Sequence, residues 1–158
     1  MRLFRLCGSI LLLAIAISCS SSTEFESTPL DGTWVSTQEN SSSSGRYDRA
    51  LTFKAGGTFI SEFRSYGEYG ESRHQQSSYQ RTDGTYRVEG DRLIFHATRL
   101  IVWDRFHGGK PQIFDPYPYG TLFDDARYEV RGQDLTLYYT TYPADAPEPT
   151  TMTYARAR

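Results

Sequence analysis

From Gly32 to the C-terminus, apolar and polar residues alternate over short runs, each bounded by Gly, Asn, Asp or Pro. A period of two places successive side chains on opposite faces of a strand. Eight strands are predicted on this basis, over residues 32–38, 47–54, 58–65, 79–88, 92–104, 121–131, 134–142 and 150–157. Their apolar faces are carried by pairs such as Leu51 with Phe53, Phe59 with Phe63, Tyr86 with Val88, Leu135 with Leu137 and Met152 with Tyr154. In the fifth run Leu93, Phe95 and Ala97 give way to Leu100 and Val102, a change of parity that predicts a bulge near Thr98. No segment shows a convincing helical period.

The spacing of the runs then sets the topology. Tyr-x-Val-x-Gly-x-x-Leu occurs at Tyr86–Leu93 and again at Tyr128–Leu135, and each copy reads as a hairpin whose glycine supplies the turn. Leu51–Phe59 is a third hairpin, with a Gly-Gly turn. Connections two-three, four-five and six-seven are therefore tight. The other four are long: Gln38–Arg46, Tyr66–Ser78, Arg105–Gly120 and Pro143–Pro149. In an up-and-down arrangement alternate connections share an end, so the long loops make a mouth and the tight turns a floor. Eight antiparallel strands close into a barrel just wide enough to be filled by side chains or to hold one small ligand. The expected fold class is all-β, an eight-stranded antiparallel up-and-down barrel.

Gly32-Thr33-Trp34, at the start of the first strand, resembles the Gly-x-Trp motif of the lipocalin and calycin group. The resemblance implies that Trp34 plugs the closed end and that an arginine of the last strand packs over it. Arg156 is the matching candidate, with Arg158 as the second. By topology the resemblance covers residues 32–158. More specifically, the chain is similar to bacterial lipocalin-like lipoproteins.

Residues 1–18 read as a signal peptide: Arg2 and Arg5 form a basic start and Leu6 to Ile17 a mostly apolar core. That core falls short of the roughly 20 residues a spanning helix needs. Ala16-Ile17-Ser18-Cys19 resembles the lipobox of bacterial lipoproteins, which implies a lipidated Cys19 as the mature N-terminus. Ser20 then implies sorting to the outer membrane of the bacterial envelope. An ordinary secretory signal cleaved near Ser18 is the alternative. The two cysteines are Cys7 and Cys19, so the mature chain has no disulfide to form and no thiol for a zinc site or a nucleophile. Acyl chains, each stabilised by about 0.8 kcal/mol per buried methylene, would hold such a protein to a bilayer. Residues 19–31 follow as a flexible tether, roughly 20 Å on average from end to end.

Composition narrows the function. The chain has 158 residues, with 17 Lys+Arg against 19 Asp+Glu and a formal net charge of −2. Removing residues 1–18 takes away two arginines and leaves about −4. A nucleic-acid binder needs a basic surface, so that class is excluded. Aromatic residues make up 15% of the chain, enough for a core and for more. Candidate ligand-binding residues cluster toward the mouth: Tyr66, Tyr69 and Tyr79 around the third connection, and Trp103, Phe106, Phe114, Tyr117 and Tyr119 around the fifth. Pro111, Pro116 and Pro118 would stiffen that loop. An aromatic lid over a flat or greasy small molecule is one reading, and an ordinary minor core under the loops is the other. Phe53, Phe59, Phe63, Tyr86, Phe95, Tyr128, Tyr139 and Tyr154 can all point inward, enough bulk to fill a small barrel.

His74, His96 and His107 lie on separate segments, and no His-x-His, His-Glu-x-x-His or Gly-x-Ser-x-Gly pattern occurs. Neither a metal or other cofactor nor an enzyme is expected. The expected function is an envelope lipoprotein that binds a small hydrophobic or aromatic ligand at the long-loop end. The alternative is a filled barrel acting as an inhibitor or accessory subunit through a protein partner.

Overall fold

The computed structural model describes residues 28–39, 45–67, 74–106, 108–117 and 120–158. Its strands are β1 (Gly32–Glu39), β2 (Arg46–Lys54), β3 (Thr58–Tyr66), β4 (Gln76–Glu89), β5 (Arg92–Asp104), β6 (Gln112–Phe114), β7 (Asp124–Arg131), β8 (Asp134–Thr141) and β9 (Glu148–Arg156). All but β6 close into one antiparallel ring, in the order β1-β2-β3-β4-β5-β7-β8-β9 and back to β1. This is the eight-stranded up-and-down barrel that the alternation predicts, and it is compatible with a lipocalin-like fold. The turns at residues 55–57, 90–91 and 132–133 lie at one end and the long connections at the other.

β6 is an addition to the eight expected strands. It pairs with the mouth end of β5 through Leu100↔Phe114, Ile101↔Ile113 and Val102↔Gln112. Three residues between Pro111 and Pro116 carry no readable period. β5 pairs with β7 at the floor end, Arg92 facing Arg127. Farther up, loop backbone completes the wall: the Ala97 N–H donates to the Gly120 carbonyl and the Tyr117 N–H to that of Thr98, each at 2.8 Å.

The parity change in β5 is a bulge. Asp83 faces Arg99 while Gly84 faces Ala97, so Thr98 is the extra residue. A β-carbon on Gly84 would collide with the His96 carbonyl and lie 2.8 Å from the Phe59 ring, so this position accepts only glycine without rearrangement.

Rings lock edge to face in the lower half of the barrel. Phe53 meets Tyr86 at 4.8 Å between centroids, Phe59 meets Phe95 at 5.0 Å, and Phe95 meets Phe123 at 5.6 Å. Leu51, Leu93, Leu135, Leu137 and Tyr154 fill the space between them. Beneath this layer, Trp34 and Leu30 are fully buried, and the Trp34 Nε1–H donates to the Leu30 carbonyl at 2.7 Å. Thr28–Asp31, the end of the stretch expected as tether, thus folds as a turn across the floor. Arg156 lies over the Trp34 ring at 4.2 Å and also binds the Asp31 and Pro29 carbonyls. Gly32, at φ 119°, keeps that arginine in place, because a β-carbon there would sit 3.1 Å from its Nη1.

On the outer wall, oppositely charged residues stand two apart along a strand and so share a face. Arg46 pairs with Asp48 at 2.9 Å, Arg64 with Glu62 at 3.1 Å, and Arg81 with Asp83 at 2.7 Å. Solvent screens such pairs, and each contributes little to stability.

Candidate functional site

Parity carries each strand's inward face from the filled floor up to the mouth. On β2, Phe53 and Leu51 are followed on the same face by Arg49 and Tyr47. Their cross-strand neighbours share that face: Ser36 and Gln38 on β1, and Phe63 and Ser65 on β3. From β4 come Gln80, opposite Phe63, and Ser78, opposite Ser65. The far wall supplies Tyr139 and Met152.

The interior changes character at the level of Arg49. Leu51 and Phe53 are 1% exposed. One step higher, Arg49, Tyr47, Phe63, Tyr139 and Met152 are only partly buried, and Gln38 and Gln80 are exposed. Solvent therefore reaches most inward-facing side chains in the upper half of the barrel, while Ser65 there is buried. The lower half is a plug and the upper half a cup.

Arg49 stands at the bottom of the cup. Its guanidinium lies 5.0 Å from the centroid of Phe63, and its Nη1–H donates to Gln38 Oε1 at 2.9 Å. Tyr47 stacks on Phe63 at 5.9 Å with 15° between the planes. Ser65 and Ser78 share a hydrogen bond of 2.7 Å between their hydroxyls. Burial pushes the Tyr154 phenol well above its ordinary range and raises that of Tyr139, and the positive charge of Arg49 opposes the shift at both. β2 borders neither β8 nor β9, so the field of Arg49 crosses the interior. At the rim a hollow of about 330 Å³ is lined by Val102, Asp104, Lys110 and Gln112; Val102 and Asp104 stand opposite Gln80 and Ser78, so they share the inward face and bring a carboxylate to the mouth. Chemically, the cup offers apolar ring surface, hydroxyl groups and a fixed cation. Among the described residues no three of His, Cys, Asp or Glu converge as a metal site would require.

The residues singled out from the sequence are dispersed. Tyr66 faces outward beneath Arg46, 4.3 Å from ring centroid to guanidinium. Tyr79 and Trp103 are cross-strand partners on the outer wall. The Tyr79 hydroxyl donates to Glu62 at 2.7 Å, and Trp103 Nε1–H to the Gly109 carbonyl at 2.8 Å. Burial, then the bond to Glu62, pushes the Tyr79 phenol up. Together with Gln76, Ile101 and Pro111 these two rings border an outer groove of about 330 Å³. Phe106 and Phe114 are exposed, and Tyr117 packs against the core where the loop completes the wall. Tyr69, Tyr119, Cys19 and the whole of residues 1–27 lie outside the described residues.

Of the groups in the cup, Phe63 and Tyr139 are legible as inward-facing from the sequence, whereas Tyr47 and Arg49 are not among the expected site residues. The signal for them is parity. Extending the Phe53, Leu51 alternation by two steps reaches Arg49 and then Tyr47. No protein-family model matches the chain, and neither a curated protein nor a solved structure does.

Proposed function

We propose that this chain is a non-catalytic binding protein of the bacterial envelope, held by acyl chains on Cys19, which takes a small hydrophobic or aromatic molecule into the mouth of its barrel. The observation that supports this reading is the division of the interior at Arg49, with a ring-packed plug below and partly exposed inward side chains above. A pocket with apolar walls and a few polar groups at its base is the usual form of a small-molecule site. The lipid anchor rests on the sequence of residues 1–19 alone, and loss of membrane pelleting in Cys19→Ala is its test.

Native mass spectrometry of the full chain, after incubation with a total envelope extract, tests the binding reading. The expected result is a discrete adduct that survives Trp103→Ala, on the outer wall, and is lost in Ser61→Trp. Ser61 faces inward opposite Leu51 and Thr82, where a larger side chain would occupy the base of the cup. No adduct on the unaltered chain, or an adduct untouched by Ser61→Trp, overturns it. A second reading, an accessory or inhibitory contact with another envelope protein, is supported by the outer groove at Trp103 and by the exposed Ile113 and Phe114 beside it. Loss of a protein complex in Trp103→Ala, with no small-molecule adduct, would favour it.

A further inference from the structure

Arg49 differs from the arginines of the outer wall. Arg46, Arg64, Arg81, Arg87, Arg92 and Arg131 each lie within 4.0 Å of a carboxylate. Arg49 points into the barrel and has no carboxylate at that distance among the described residues. Its protein partners there are the neutral oxygen of Gln38 and the face of Phe63. A guanidinium carries five N–H donors, so most of its donors have no acceptor among the described residues. The bond to Gln38 is exposed, so water reaches the guanidinium, and the oxygens of a ligand could take the place of that water.

We propose that the ligand of the cup carries a carboxylate, which Arg49 grips at the base while the apolar part of the molecule extends toward the mouth between Tyr47, Phe63 and Met152. This rests on the reading of the cup as a ligand site and adds the chemical class of the ligand. The direction of the molecule follows from the packing. Leu51 and Phe53, the next inward residues below Arg49, are buried in the plug, so nothing passes deeper. The side chains above it are half-buried and offer ring and thioether surface. Phe63 covers one face of the guanidinium plane, and its edge presents parallel N–H groups that match the two oxygens of a carboxylate.

Calorimetric titration of the full chain with matched probes tests the inference: naphthylacetate, the neutral naphthylethanol of nearly the same shape, and naphthyl phosphate. The unaltered chain should bind naphthylacetate about tenfold or more tightly than naphthylethanol, the scale of a charge-assisted bidentate contact. Arg49→Gln should bring the two within about twofold by weakening the acetate alone, and Arg49→Lys should keep part of the preference. A residue that merely braced β1 against β2 would not change selectivity between two ligands of one shape. Equal binding of acetate and alcohol by the unaltered chain overturns the carboxylate and leaves the cup standing. Binding of neither overturns both readings. Tighter binding of naphthyl phosphate than of the acetate also overturns the carboxylate, and assigns a phosphate head in its place. Should Arg49→Gln fail to fold, the acetate-to-alcohol ratio of the unaltered chain decides by itself.

Discussion

Arg156→Met removes the head of the floor arginine and keeps a stem of similar length. Three contacts go with it. The guanidinium lies 4.2 Å over the ring of Trp34, which is fully buried, and a cation–π contact so shielded contributes about 1–2 kcal/mol. Nη1 donates to the Asp31 carbonyl at 2.7 Å in a part-buried setting, a bond contributing about 1 kcal/mol. Nη2 donates to the Pro29 carbonyl at 2.7 Å in an exposed setting, where about 0.5 kcal/mol is the fair figure. The expected loss is about 3 kcal/mol, equivalent to a drop in Tm of roughly 10 °C for a domain of this size. Leu30 should stay docked, because its turn is closed independently by hydrogen bonds between Thr28 and Asp31. Arg156→Lys keeps a charge near the ring but has no fork to span two carbonyls, and should lose about half as much. The assay is equilibrium unfolding in urea, followed by fluorescence in a Trp103→Phe background so that Trp34 alone reports. A loss under about 1 kcal/mol for Arg156→Met, or equal losses for Met and Lys, would refute the three-contact account.

Two further outcomes follow from the packing. Gly84→Ala should cost about 2–3 kcal/mol, because its β-carbon meets the His96 carbonyl and the Phe59 ring at the bulge; thermal unfolding measures it, and a loss under about 1 kcal/mol would count against the close approach. Burial keeps the Tyr154 phenol protonated in the folded barrel at pH values where the unfolded chain ionises, near about 10. Its contribution is therefore complete below about pH 10 and declines as the pH rises past that point, a decline that Tyr154→Phe should flatten. Urea midpoints between about pH 8 and about pH 11 show the trend, and a titration in which every tyrosine ionises together near 10 speaks against it.

Alternation was enough to find every strand of the ring, because a wall with one wet and one apolar face must repeat every two residues. It also located the bulge at Thr98, since an inserted residue inverts the parity of everything beyond it. β6 escaped detection because three residues are too few to repeat, and its partner is the already recognisable β5. β4 begins at Gln76 rather than at Tyr79 because Ser77 and Ser78 are small and polar yet sit in the wall. Leu30 was hidden in a stretch whose composition reads as tether, and its burial depends on Trp34 and Arg156 meeting from opposite ends of the chain. Aromatic character and nearness to a long loop are blind to which side of the wall a residue faces. Tyr79 and Trp103 meet both criteria yet point outward, whereas Arg49, two positions from Leu51 on the inward face, meets neither.

The order of strands around the ring has a consequence for how the protein assembles. Nearly every pairing joins strands that follow one another along the chain, so the wall can form hairpin by hairpin from local contacts, which are the quick ones to make. Pairing of β1 with β9 is different. The contact between Arg156 and Asp31 at that joint spans 125 positions, and the entropy of bringing such distant segments together falls on this one step. Closure should come late, with the joint little formed at the folding barrier. Strengthening it would then slow the opening of the finished barrel and leave the rate of assembly nearly unchanged. The same few atoms that seal the floor would set the lifetime of the folded protein.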